Sequence, residues 1–350
     1  MKTLFLVLHS CVAAGFLNRP QDPTGAPILP AGSSYNFKPD NSPSYHTPNI
    51  PTLYDLTESQ FESGLVSSHY AGSFLTTSDG NQYFVVSQIL LVQPQSNLRH
   101  SVFDITDPSR YWANSEYAPT PDKTNLTRGP WNYTFTDYSF QATTDDAVSH
   151  MQTWVSTADY SFNISWDATS TALHNLGSGT FNFGGANNSQ WSLPACRTQG
   201  TLTIGDTELT IDPENSHTWY DRQWGYSKPP TFTWLGLRFP ESDVSLSVWA
   251  IDYASGTSDH EWRFATVRTS LGDQILSLNF VPDANSTWTS PSSNNTYPTR
   301  WTLEFQNGDS IVVTSARPDQ ELGTGISAFV HVEGSFLGNQ GGSGVVDVLL

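Results

Sequence analysis

The stretch His217-Thr218-Trp219-Tyr220-Asp221-Arg222-Gln223-Trp224-Gly225 places an imidazole, a carboxylate, a guanidinium and three aromatic rings within nine residues, in a chain of which only 14% is charged. Such a set can donate and accept protons beside an apolar molecule, the equipment of general acid–base catalysis. Asp221 is the candidate acid or base, Arg222 the group that orients it or a substrate oxygen, and His217 a second proton relay. Trp219 and Trp224, with Trp249 further along, are candidate aromatic walls of a substrate site. The competing reading makes Asp221 and Arg222 a buried ion pair that pins a loop across a domain interface, since either charge buried unpaired is costly.

Other groups carry less chemistry by their surroundings. His69 is a candidate catalytic partner from the other domain, or a solvated loop residue. Lys228, just before Pro229-Pro230, belongs to a loop, and Tyr253 ends a strand; both are candidate substrate contacts. Glu333 reads equally well as a structural hydrogen-bond acceptor, and Cys196 as a small buried hydrophobe. Zinc-type Cys/His spacing, a phosphate-binding loop and a dinucleotide glycine fingerprint are all missing, so metal and nucleotide chemistry both lose support.

The elements that must position these groups are strands. Runs rich in β-branched and aromatic residues recur between turn residues: 73–76, 83–92, 150–155, 160–166 and 180–183, then 232–239, 244–253, 262–267, 301–305, 311–313, 329–333 and 345–349. Two alternating runs flank Gly205-Asp206, the pattern of a hairpin with a type I′ or II′ turn. Alternation over 245–251 separates Leu246, Val248 and Ala250 from Trp249, so the indole faces a ligand cavity, an interdomain seam or an ordinary packing loop. The one short helix expected is 56–61. The fold class is therefore all-β, and its spacing is antiparallel.

Domain organisation follows from punctuation and length. Met1 to Gly15 carries one Lys, a short apolar run and small residues near Ala14, the layout of a secretory signal peptide. Its removal takes Cys11 and leaves Cys196 alone. Residues 16–54 read as an extended lead-in that wraps the surface. Gly and Pro clusters at 177–185 and 194–200 put a domain boundary near 197, giving β domains over 55–197 and 198–350. Six Asn-x-Ser/Thr sequons, at Asn125, Asn132, Asn163, Asn187, Asn285 and Asn294, fit a secreted glycoprotein. The formal net charge of −18 disfavours nucleic acid and anionic lipid as partners, and no second apolar stretch is long enough for a membrane span.

The nonapeptide resembles the Trp-(Tyr/Phe)-Asp-Arg-(Gln/Glu)-Trp signature of the two-domain lipocalin-like superfamily of carotenoid 1,2-hydratases, kievitone hydratase and fungal Diels–Alderase-type cyclases. Ser73-Phe74-Leu75-Thr76-Thr77 leading to Gln82-Tyr83-Phe84-Val85-Val86-Ser87 is similar to that family's first strand pair. His331-Val332-Glu333-Gly334 followed by Gly341-Gly342-Ser343-Gly344-Val345-Val346 is similar to its closing strands. With the signal peptide and sequons, the likeness is to the secreted fungal branch. The resemblance implies two lipocalin-like antiparallel β-barrels packed together, and cofactor-free chemistry on an apolar isoprenoid or polyketide molecule.

Within that frame the leading expectation is a hetero-Diels–Alder-type cyclase of secondary metabolism that first dehydrates a hydroxylated precursor. The alternative is a hydratase that adds water to a prenyl double bond. A non-catalytic carrier of apolar ligands is a second alternative, because fold does not fix function. A secreted carbohydrate-binding or hydrolytic protein is a further class, and it would need two carboxylates facing each other.

Overall fold

Period-two runs become strands here because each sends one row of side chains into a core and the next row to the opposite face. A computed structural model of the chain describes residues 28–47, 52–92, 94–120, 128–240, 242–252 and 261–350. The expected signal peptide with Cys11, and the candidates Asn125 and Tyr253, lie outside the described residues. Among the described residues there is one short helix, Leu56–Ser59, capped by Asp55, whose carboxylate accepts the Glu58 backbone N–H at 3.1 Å.

The strands build two large antiparallel sheets and one two-stranded ribbon, Thr287–Thr289 with Thr296–Pro298. The first runs, neighbour by neighbour, Tyr111–Pro119, Gln95–Asp104, Gln82–Val92, Val66–Thr76, His217–Gly225, Asn187–Ile204, Tyr160–Asp167, His150–Ser156, Tyr138–Ala142 and Trp131–Thr134, and curls into an open half-barrel. The second runs Ser310–Ser315, Arg300–Phe305, Gly272–Pro282, Trp262–Thr269, Ser245–Asp252, Thr231–Arg238, Ser343–Leu349 and Gly325–Ser335. Its last strand pairs back onto Ser310–Ser315 and closes an eight-stranded barrel. The all-β architecture of two barrel-like units is as expected, with the first unit left open at its edges. The Gly205-Asp206 hairpin takes the II′ form, since the positive φ of 57° falls on Gly205 alone, between the paired Ile204 and Thr207.

The boundary expected near residue 197 needs correction. Asn187–Ile204 is a single strand running through it, and His217–Gly225 sits centrally in the first sheet, between Val66–Thr76 and Asn187–Ile204. The Gly and Pro cluster at 194–200 marks a register shift between Leu193 and Cys196 rather than a linker. Gly200 is needed for close packing, because a Cβ there would lie 2.0 Å from the Asn163 carbonyl oxygen. The two sheets part between Gly225 and Thr231.

Three apolar clusters hold the molecule together. One fills the first sheet's concave interior, around Trp166, Trp191 and Tyr220; a second fills the closed barrel, around Leu235, Trp301 and Val346. The third, with Phe74, Phe84, Trp219, Trp234, Trp249 and Phe329, lies in the seam where the outer faces of the two sheets meet. The lead-in does not merely wrap the surface. Leu29 and Phe37 are buried in that seam, and the Asp40 carboxylate bridges Arg238 at 3.1 Å and Arg268 at 2.6 Å while accepting the Ser170 hydroxyl at 2.8 Å.

Burial alone would push the Asp40 carboxyl up, but Arg268 and Arg238 hold it below the usual carboxylate range. A depressed folded value stabilises above the unfolded one, so this contribution is present at neutral pH and is lost on acidification. Asp40→Asn is expected to lower unfolding free energy by about 3 kcal/mol at pH 7, read by urea titration. The deficit should begin to shrink only below the free-carboxylate value of 3.8 and fade as pH falls through the lower value of the folded state.

Candidate active site

The seam encloses a cavity of about 100 Å³ between the two sheets. Its two walls are cross-strand rows, each made of residues that face one another directly in register. On the first sheet the row reads Arg99, Gln88, Tyr70, Asp221, Ser192 across five adjacent strands. On the closed barrel it reads Trp249, Trp234, Asp347, Ser327 across four. Contacts tie the rows together across the seam: the Arg99 guanidinium meets the Asp347 carboxylate at 3.4 Å, and the Tyr70 and Ser327 hydroxyls bond at 3.1 Å. The Trp249 indole N–H donates to Gln190 Oε1 at 2.8 Å. Phe183 and Phe232 complete an aromatic side of the cavity beside Trp234 and Trp249.

Asp221 is buried on the cavity wall. Its Oδ2 accepts the Gln190 side-chain N–H at 2.8 Å and its Oδ1 accepts the Ser192 hydroxyl at 2.5 Å. Desolvation pushes its carboxyl up to about 6, against the pull of the Ser192 and Gln190 donors. Asp347, from the opposite wall, is likewise pushed up by burial, with Arg99 and Lys228 opposing that rise. Each carboxyl is thus poised to exchange a proton with a bound molecule, and their surroundings differ: neutral donors at Asp221, cations at Asp347. The Tyr70 hydroxyl is driven up by burial and stays protonated, a donor in the cavity wall. Arg99 also donates to Gln88 Oε1 at 2.5 Å and to the Leu322 carbonyl at 3.1 Å, so it is held rigidly beside Asp347.

The residues singled out in the sequence divide by the pleat of their strand. Asp221, Trp249 and Lys228 line the cavity. Arg222 does not, and it makes no pair with Asp221, because neighbours on a strand face opposite ways. It points into the half-barrel and donates to the carbonyls of Ser59, Glu62, Ser68 and Gln223 and to the Ser67 hydroxyl, its guanidinium 5.0 Å from the Trp224 ring. Arg222 and Trp224 therefore anchor the segment 59–68 rather than a substrate. His217 shares the Asp221 face but sits away from the cavity, stacked on Phe74 at 4.7 Å, its Nδ1 at 2.9 Å from the Phe37 carbonyl oxygen. Burial lowers it to about 3, so it is a neutral core imidazole and not a proton relay to the cavity.

His69 is neither a loop residue nor a cavity residue. It lies inside the half-barrel against Trp131, with its Nδ1 3.0 Å from the Tyr220 hydroxyl. Trp219 packs edge-on to Trp234 in the seam, over Gly236, where a Cβ would come within 3.0 Å of the indole. Glu333 is an exposed partner of Arg300 at 3.2 Å, and Cys196 is buried with its thiol pushed up by desolvation.

Asp347, Arg99, Tyr70 and Gln190 were missed. Asp347 had a legible signal: it is the one charge in Val345-Val346-Asp347-Val348-Leu349, an apolar run that becomes a buried strand. The other three become a site only through strand order and register.

A family model described as AttH-like matches residues 92–348. The dehydratase asqC of Emericella nidulans is 33% identical over 343 residues, covering 92% of this chain and 96% of that protein. The kievitone hydratase of Fusarium solani subsp. phaseoli is 32% identical over 292 residues, covering 82% and 81%. Among solved structures, kievitone hydratase from Nectria haematococca superposes with a TM-score of 0.82 at 29% identity, over 90% of this chain and 98% of that one. CghA superposes with a TM-score of 0.55 at 10% identity, over 89% and 97%, a likeness of fold.

Two substitutions at adjacent positions should separate the two faces of the signature strand. Arg222→Lys cannot satisfy the spread of acceptors that the guanidinium fork reaches and is expected to cost about 3 kcal/mol of stability, measured by urea unfolding. Asp221 has the opposite sign. Its folded value exceeds the free value of 3.8, so through this group the wild type loses stability as pH rises from 3.8 to about 6. Asp221→Asn should therefore be as stable as wild type below pH 4 and more stable at pH 7, by up to about 3 kcal/mol.

Proposed function

We propose, from the premise that this chain belongs to the AttH-like family, that it is a hydro-lyase adding water to, or removing it from, an unsaturated small molecule held in the seam. It is an enzyme of the lyase or cyclase kind, which sets aside the carrier reading. The observation that carries the proposal is the pair of carboxyls, Asp221 buried and Asp347 part-buried, on opposite walls of one cavity. In the dehydrating direction Asp221, protonated, gives its proton to the departing hydroxyl as the C–O bond breaks. Asp347, kept ionisable by Arg99 and Lys228, takes a proton from the neighbouring carbon as the double bond forms. Hydration is the same sequence reversed. Phe183, Phe232, Trp234 and Trp249 supply an apolar aromatic lining for a prenyl or polyketide skeleton, and Tyr70 a neutral donor to its oxygen.

Cycloaddition, the leading expectation from the sequence, is the second reading. The aromatic side of the cavity favours it, since it can align a diene and an alkene, and a dehydration by the same acid pair can generate the diene. The relatives named dehydratase and hydratase favour water chemistry as the principal step.

Incubating the protein with hydroxylated prenyl compounds and their alkenes, and following gain or loss of one water by mass spectrometry, tests the reading. Asp221→Asn and Asp347→Asn are each expected to lower turnover by about 10²-fold or more while leaving the protein folded. Dehydration should need the protonated Asp221 and fall as pH rises above about 6. Full activity in both variants would sink the proposal. A bimolecular adduct, with no dehydrated intermediate released, would favour cycloaddition.

We also propose that the protein is secreted and glycosylated. In support, Asn132, Asn163, Asn187, Asn285 and Asn294 are all exposed. Enzymatic removal of N-glycans from protein produced by a secreting fungus should lower its mass, and an unchanged mass would refute glycosylation.

A further inference from the structure

Resting on Asp221 as the acid of that reaction, we propose that Trp249 is a positioning residue: from the closed barrel, its indole N–H locks the Gln190 amide so that only the amide N–H can face Asp221. The relay has two links of 2.8 Å, Trp249 Nε1 to Gln190 Oε1 and Gln190 Nε2 to Asp221 Oδ2, and all three side chains are buried.

Chemistry fixes its polarity. An indole nitrogen only donates and an ionised carboxylate only accepts, so the amide between them has one satisfactory orientation. In that orientation Gln190 favours the ionised Asp221. Freed from the indole, the amide could turn and offer Oε1, which accepts from a neutral carboxyl and favours the protonated form. The lock thus lets Asp221 both give up its proton and take it back in the pH range set by its burial. Since Trp249 comes from one sheet and Gln190 and Asp221 from the other, the acid acquires this property only when the seam is closed.

The charged and titratable groups near Asp221 come from several elements: Tyr70 on the adjacent strand, Tyr54 before the helix, Asp347 on the opposite wall, and Arg99 and Lys228 beside Asp347. The Gln190 amide bonds instead to Trp249 and Asp221. A change confined to the indole N–H therefore reads the relay and leaves those neighbours in place.

The test is a carbon NMR titration of aspartate-labelled protein without substrate, with the Asp221 carboxyl assigned by its loss in Asp221→Asn. Trp249→Phe keeps most of the ring and removes the donor; Gln190→Leu removes the amide. Phe181→Leu loosens the packing on Trp249, whose ring is 5.6 Å away, without touching a hydrogen bond. Trp249→Phe and Gln190→Leu should each raise the Asp221 titration by about one pH unit. Phe181→Leu should leave it unchanged, and the double variant Trp249→Phe/Gln190→Leu should shift no further than Gln190→Leu. A wild-type titration in Trp249→Phe, an equal shift in Phe181→Leu, or additive shifts in the double variant would each overturn the relay. Because the titration needs no substrate, absence of turnover would count against the hydro-lyase reading alone.

Discussion

Neighbouring residues on a β-strand cannot share a face, and on the central strand His217–Gly225 that constraint separates the two halves of the chain's most reactive dipeptide. Arg222 is sent inward, where it satisfies carbonyls of the segment that leads from the helix into the first sheet. Asp221 is sent outward, where the closed barrel covers it. One strand therefore does two jobs with alternate residues: its inner row holds the half-barrel together, and its outer row supplies the wall of a cavity. The position of this strand in mid-sheet, with partners on both sides, keeps both rows in register with the groups they serve.

Covering Asp221 is what raises its proton affinity. A carboxyl at the outer surface of a lone sheet would be solvated and fully ionised near neutrality. The second barrel removes that water and leaves Asp221 with two neutral donors from its own sheet, Gln190 and Ser192, so its proton affinity is raised but finite. The same closure brings together Arg99 and Asp347, a pair whose members come from different sheets, and so makes docking of the sheets and assembly of the site one event. The Asp40 clasp on Arg238 and Arg268 adds a further strap from the N-terminal side. Burying these charges is tolerable because each is paired or multiply bonded.

A cavity with carboxyls on facing walls and an aromatic side suits more than one reaction on the same kind of molecule. Water loss and ring closure after water loss share the proton transfer to the departing hydroxyl, and water addition runs the same transfers in reverse. The matches to a dehydratase and a hydratase extend over most of the chain, whereas the distant likeness to CghA bears on the fold alone.

Alternation and turn punctuation were enough to read an all-β chain and the direction of Trp249, because a strand's two faces are a local property. The short signature was enough to single out Asp221, since an acid amid aromatics is conspicuous in a chain so poor in charge. Which strands lie side by side is not local. The placement of His217–Gly225 in the first sheet moved the domain division past it, and only that order aligned Arg99, Gln88 and Tyr70 with Asp221. His217 and His69 looked like catalytic groups because imidazoles titrate near neutrality, and burial among aromatic rings made them core residues instead. Residue type and spacing thus determined what each strand offers to either face; tertiary docking decided which offers meet, because proximity and desolvation are properties of the closed seam and of no segment within it.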